Sequence, residues 1–128
     1  MQAKYVIDIA SRQIVGISSK TKIKTAIELM KNTNVGLMPV VDSGKLVGMI
    51  DEQLLIEEAK KGIEANYEIS TIMKKPFFIA ANAKIDEAMD YMVKNKVSRV
   101  PVVDSTEGMK CVGIVSATEV LESKLSEK

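Results

Sequence analysis

The sequence predicts an α/β fold, of the α+β kind, in which two β-α-β-β-α repeats pack sheet to sheet with pseudo-two-fold symmetry. Three observations predict it: an internal duplication, a helical apolar stripe in each copy, and in each copy two short apolar runs joined by a turn. VGLMPVVD (Val35 to Asp42) returns as VSRVPVVD (Val97 to Asp104), an offset of 62 that also relates Tyr5 to Tyr67, Ile7 to Ile69 and Ile17 to Ile79. Between Lys20 to Asp42 and Asn82 to Asp104, nine of 23 positions are identical, including Ile23, Ala26, Met30 and Pro39 to Asp42 of the first copy. A duplication this regular means that one supersecondary unit was copied. Downstream, LVGMI (Leu46 to Ile50) matches CVGIV (Cys111 to Val115) at an offset of 65, so the second copy has three extra residues around Thr106 to Gly108. Loops accept such insertions and cores do not.

The elements follow in order. A short strand opens each repeat, near Val15 to Ser18 and near Phe77 to Ala80. Ile23, Ala26, Ile27 and Met30 then fall at i, i+3, i+4 and i+7, and Ile85, Ala88, Met89 and Met92 repeat the pattern, so each copy has a helix with one covered face. LMPVVD and KLVGMI, joined by Ser43-Gly44, read as a hairpin of buried strands, and VPVVD and KCVGIV repeat it. A second helix follows through Leu54, Leu55 and Glu58, and again over Thr118 to Lys124. One sheet and two helices leave the other sheet face apolar and uncovered, hence the expected sheet-to-sheet packing. The repeats are expected at residues 1–64, with a lead-in segment, and 65–128, with Gly62 to Tyr67 as a short polar turn between them.

Composition narrows the function. Eighteen basic and seventeen acidic residues leave a net charge of +1, without the basic field that draws a domain to nucleic acid, and 4% aromatic residues give few stacking platforms. Cys111 is the only cysteine and there is no histidine, which removes disulfides, multi-cysteine metal sites, His-ligated metals and the usual nucleophile-base pairs. The chain therefore reads as non-catalytic, with no metal or cofactor required. No apolar run approaches the roughly 20 residues that span a bilayer, and no secretory leader is apparent, so the expected compartment is the cytoplasm, without membrane insertion. The methionines at 30, 38, 49, 89 and 92 and Cys111 read as core.

These residues resemble a tandem pair of CBS domains, the regulatory modules named after cystathionine β-synthase. The paired PVVD strands, the VG strands after each turn, and GIVSATEV (Gly113 to Val120) carry the resemblance, which covers nearly the whole chain. GIVSATEV looks like the ribose-phosphate motif of the family: glycine, two apolar residues, Ser or Thr, two spacers and an acid. The chemistry also follows from the residues. Ser116 ends a strand and Thr118 and Glu119 begin a helix, so hydroxyls and free amides meet where a phosphate is attracted. Glu119 offers a carboxylate to the two hydroxyls of a ribose, while the alternative is that Ser116 or Thr118 caps the helix and Glu119 complements its dipole.

The resemblance implies a ligand in the cleft between the repeats, with Ile114, Ser116, Thr118 and Glu119 from the second repeat and a base pocket of Ala10, Gln13, Val15, Val35 and Gly36 from the first. It also implies that Arg99 touches the phosphates; pairing with Asp104 is the alternative, and Arg12 is a second candidate cation. The family's usual acid is aspartate, and Glu119 is one methylene longer. In the twin cleft Asp51 stands for Ser116, Leu54 for Glu119 and Leu37 for Arg99, so that cleft, lined by Pro76, Phe77, Val97 and Ser98, is expected to lack a competent nucleotide site.

Two functions follow from the resemblance. One is a regulatory sensor of AMP, ADP, ATP or S-adenosylmethionine. The other is a structural dimerisation or docking module without ligand. A homodimer, and a regulated enzyme or transporter as partner, are implied in either case.

Overall fold

The computed structural model describes residues 3–126. By packing, the chain divides into two compact units: Val15–Pro76, and a composite of the residues through Ile14 with those from Phe77 onward. Sequence repeats and compact units are thus cut at different points, because the lead-in of the first repeat packs on the sheet of the second.

In the composite unit, a short helix α1 (Val6–Ile9) precedes the unit boundary. Four residues are too few for a helical period to show in a sequence. Its first turn is held by Asp8, whose Oδ2 accepts the N–H groups of Lys4 and Tyr5. In the Val15–Pro76 unit, α2 (Ile23–Thr33), strands β1 (Leu37–Asp42) and β2 (Lys45–Asp51) and α3 (Glu52–Lys60) follow, with a single 3-10 turn at Ile69–Thr71. The composite unit resumes with β3 (Ile79–Ala80), α4 (Ile85–Asn95), β4 (Arg99–Val103), β5 (Cys111–Ser116) and α5 (Ala117–Leu125).

The hairpin β1-β2 turns at Ser43 and Gly44, both at positive φ (51° and 81°), the mirror-image turn that matches strand twist. β4 and β5 form the corresponding hairpin, with β3 added parallel to β4. The opening strands are shorter than the sequence suggests: only Ile79–Ala80 forms a strand, and its counterpart is one parallel bridge from Ile17 to Val40. Both α2 and α4 end on a left-handed residue, Asn34 and Lys96.

Each unit has its own core. Ile17, Ile23, Ala26, Met30, Met38, Val40 and Ile50 are buried together with Ile69 and Ile72 in one. Val6, Ile79, Ile85, Ala88, Met92, Val100, Val102, Val115 and Val120 are buried in the other. Each fully buried side chain of this size contributes about 1.5–3 kcal/mol. Ile27 departs from the expected covered stripe and is 48% exposed. At i+4 from the buried Ile23 it lies at the edge of a face whose centre is Ala26 and Met30.

Candidate functional site

The site begins at the junction of β5 and α5. Ser116 is the N-cap of α5 in extended backbone, and its Oγ accepts the Glu119 N–H at 3.3 Å. The carboxylate returns: Glu119 Oε1 accepts from the Ser116 N–H at 2.8 Å and from Ser116 Oγ at 3.1 Å. This is a reciprocal capping box. The extra methylene of glutamate lets the carboxylate reach back to its own N-cap. The capping alternative weighed for these residues is therefore the geometry observed, with Oε2 left without a protein hydrogen bond among the described residues. The Ala117 N–H is taken by the Ser98 carbonyl at 2.8 Å. Thr118, exposed in the first turn, has an amide with no intrahelical partner by position.

Arg99 completes the group. It opens β4 directly opposite Ser116 in the antiparallel register, and opposite residues of such a pair present side chains to the same sheet face. Arg99 is exposed and makes no ion pair or hydrogen bond through its side chain among the described residues. Asp104, the alternative partner, is used by its own loop: its Oδ1 accepts the N–H groups of Ser105 at 2.7 Å and Lys110 at 2.9 Å.

The lead-in segment reaches the same strand. Ser11 and Ile114 exchange both backbone hydrogen bonds, at 2.9 and 3.0 Å, and Gly113 lets them meet: a Cβ there would lie 2.8 Å from the Ser11 oxygen and 3.2 Å from the Ala10 Cβ. Ala10, Ile114, Arg99, Ser116, Thr118 and Glu119 thus share one compact unit, and Gln13 follows on an exposed turn whose N–H reaches Ser11 Oγ at 3.3 Å. Phe77 and Ser98 lie in this unit as well, Phe77 against Tyr91 with ring centroids 6.5 Å apart. Val15, Val35, Gly36, Asp51 and Leu54 belong to the Val15–Pro76 unit. There Val35 and Leu54 pack on the core, and Gly36 is faced by the Glu52 carboxylate.

The twin position is built alike and furnished differently. Asp51 caps α3, its Oδ1 accepting the Leu54 N–H at 2.8 Å, and its Oδ2 accepts from Lys74 Nζ at 2.5 Å. Leu37 is its partner across the strands. Lys74 was not singled out in the sequence, because an ion pair between residues 23 apart leaves no local pattern. Its ammonium offsets the Asp51 charge, which weakens the repulsion of a phosphate on which part of the expectation for this position rests.

Partial burial is the largest single influence on the Asp51 carboxyl and raises its pKa, but the Lys74 ammonium and the Leu54 and Gln53 amides outweigh it, so the net shift is downward. Asp42, held by the hydroxyl and N–H of Ser19, and Asp8, held by the Tyr5 and Lys4 amides, are lowered as well. Each is harder to protonate in the folded chain than in the unfolded one. Their stabilisation is complete above about pH 5, where the unfolded-state carboxyls are also ionised, and is lost as pH falls through the folded values. Thermal melts should stay level from neutral pH to about pH 5 and then fall. Lys74→Met should lower the melting temperature at pH 7, and the difference from the unmodified chain should shrink as pH falls through the lowered folded-state pKa of Asp51.

With this geometry in view, the chain belongs to the CBS domain family, whose model matches residues 6–61 and again 69–126. It is a pair of CBS domains. The CBS domain pair of protein MJ0100, in complex with 5′-methylthioadenosine and S-adenosyl-L-methionine, superposes with a TM-score of 0.78 at 27% identity, covering 97% of this chain and 98% of that one. CBSX2 in complex with AMP shares the fold, with a TM-score of 0.79 at 24% identity over 96% of this chain and 97% of that one. Among curated relatives, the CBS domain-containing protein YhcV of Bacillus subtilis is 28% identical over 94% of this chain and 86% of its own length. The inosine-5′-monophosphate dehydrogenase of Thermoplasma acidophilum is 34% identical over 86% of this chain, which spans only 21% of the dehydrogenase. No helix among the described residues is long and apolar enough to cross a membrane.

Proposed function

We propose that this chain is a non-catalytic regulatory module of the cytoplasm that binds an adenine nucleotide or adenosyl compound, such as AMP, ADP, ATP or S-adenosylmethionine, and acts as a homodimer on an enzyme or transporter. The observation that carries the reading is the free guanidinium of Arg99 opposite Ser116, on the unit that also holds the free Oε2 of Glu119. A guanidinium and a helix N-terminus attract phosphate or carboxylate, and Oε2 accepts from a ribose hydroxyl. The adenosyl ligands of MJ0100, at 27% identity, support the same class. Along Ala10 to Gln13, where Ser11 pairs with Ile114 and the Ala10 and Gln13 N–H groups go to Val6 and Ser11, the Arg12 N–H and the carbonyls of Ala10, Arg12 and Gln13 are left for a base edge. Val15, Val35 and Gly36 lie on the other unit, and the proposal rests on none of them.

A specific observation favours the second reading, a docking module without ligand: the capping box already occupies Glu119 Oε1. Thermal shift separates the two. A ligand at about a hundred times its Kd adds about 2.7 kcal/mol, a rise of roughly 10 °C for a chain this size. A rise with at least one member of an AMP, ADP, ATP and S-adenosylmethionine panel supports the sensor; no rise with any of them overturns it in favour of the docking module.

A further inference from the structure

We infer that the site reads one hydroxyl of a ribose by charge and leaves the other to neutral contacts, so that an adenine nucleotide lacking the second hydroxyl belongs to its ligand class as well. This deepens the adenine-nucleotide reading above and rests on it.

The carboxylate of Glu119 is only half available. Oε1 accepts from the Ser116 N–H and the Ser116 hydroxyl, at 2.8 and 3.1 Å, which fills both of its lone pairs. The Ser116 hydroxyl in turn gives its one hydrogen to Oε1 and accepts the Glu119 N–H at 3.3 Å. What the pair offers a ligand is therefore the charge of Oε2, which has no protein partner among the described residues, and one lone pair of a neutral oxygen. The two hydroxyls of a ribose stand side by side, whereas the lone pairs of Oε2 diverge. One hydroxyl can point along a lone pair, and its neighbour is left to weaker partners.

To hold both hydroxyls by the carboxylate, Oε1 must leave the cap. That exchange breaks two protein hydrogen bonds to make one, and it strips the Ser116 N–H at the start of a helix. The cap is also the rule of this unit. In α1, Asp8 Oδ2 accepts the N-cap N–H of Tyr5 at 2.9 Å, and in α4, Glu87 Oε1 accepts that of Lys84 at 3.2 Å, each from the third helical residue as in α5. Of the three acids, Glu119 alone also holds a side-chain hydroxyl among the described residues. A charge-assisted hydrogen bond is about twice as strong as a neutral one, so the two ribose hydroxyls count unequally.

AMP, ADP and ATP are each titrated calorimetrically beside their 2′-deoxy and 3′-deoxy forms, against the unmodified chain and Glu119→Gln. The expected result is one deoxy form about tenfold or more weaker than its parent and the other within about threefold, with a smaller gap between them in Glu119→Gln. Losses of about tenfold or more in both forms mean that both hydroxyls are held by charge; they overturn the inference and leave the nucleotide reading standing. Parental affinity in both forms overturns it by taking Glu119 off the ribose, as does a gap undiminished in Glu119→Gln. No binding by AMP, ADP or ATP overturns the inference, and silence from S-adenosylmethionine as well overturns the sensor reading beneath it.

Discussion

Arg99→Ala and Glu119→Gln each weaken the binding of AMP by about 10- to 100-fold. Hydrogen bonds to charged groups contribute roughly 1.5–3 kcal/mol, and 1.4 kcal/mol is a factor of ten. Two features of the site sharpen the test. Glutamine still closes a capping box, so Glu119→Gln should leave the melting temperature of the free chain nearly unchanged, whereas Glu119→Ala should cost about 1 kcal/mol of stability as well as affinity. A loss of affinity in Glu119→Gln is then separable from a loss of the cap. If Oε2 accepts from the ribose, 2′-deoxy-AMP binds the unmodified chain more weakly than AMP does, and the difference shrinks in Glu119→Gln. Arg99→Lys keeps the charge without the fork and should recover part of the affinity. Unchanged titration curves for Arg99→Ala and Glu119→Gln would remove both residues from the site.

Gly113→Ala should be the most damaging small substitution in the composite unit. The added carbon would sit 2.8 Å from a backbone oxygen, that of Ser11, and 3.2 Å from the Ala10 Cβ, so the lead-in segment must move and strain both hydrogen bonds it makes with Ile114. Overpacking of this kind costs about 1–3 kcal/mol, and each weakened hydrogen bond about 1 kcal/mol more. Gly48 is the twin position, yet its nearest neighbour, at 2.7 Å, is the sulfur of Met73, the far end of a flexible side chain, with the Lys74 oxygen at 3.2 Å. Gly48→Ala should therefore cost about 1 kcal/mol, because a methionine can repack. Urea melts of the two variants compare them directly, and equal losses would contradict the asymmetry. Gly113→Ala should also weaken AMP binding, since Ala10 to Gln13 shift with the lead-in segment; Gly48→Ala should not.

Much of this was legible in the sequence, for reasons that particular residues show. The offset of 62 located both hairpins and both long helices, because Ile23, Ala26 and Met30 and their copies Ile85, Ala88 and Met92 keep a helical period that burial demands. Ser116 and Glu119 were legible as a strand-to-helix junction. Their mutual hydrogen bonding was open, since the same two residue types serve a cap and a ribose. What stayed hidden depends on tertiary placement. Lys74 reaches Asp51 only once Met49 and Lys74 pair through their backbones. Asp104 is engaged by the Ser105 and Lys110 amides of its own loop rather than by Arg99, a loop geometry that no periodicity encodes. The packing of residues 3–14 with the second repeat follows from the Ser11 and Ile114 bridge, which no periodicity signals.

The most direct measurement is a ¹H–¹⁵N correlation spectrum of the labelled chain titrated in turn with AMP, ADP, ATP and S-adenosylmethionine, with the amides and the Arg99 side-chain signal assigned. Saturable shifts centred on residues 11 to 13, on 98 and 99 and on 114 to 119, with the Arg99 Nε–H among the largest, are predicted. Shifts centred on residues 37 and 51 to 54, or a spectrum indifferent at millimolar concentration to AMP, ADP, ATP and S-adenosylmethionine alike, would contradict the account.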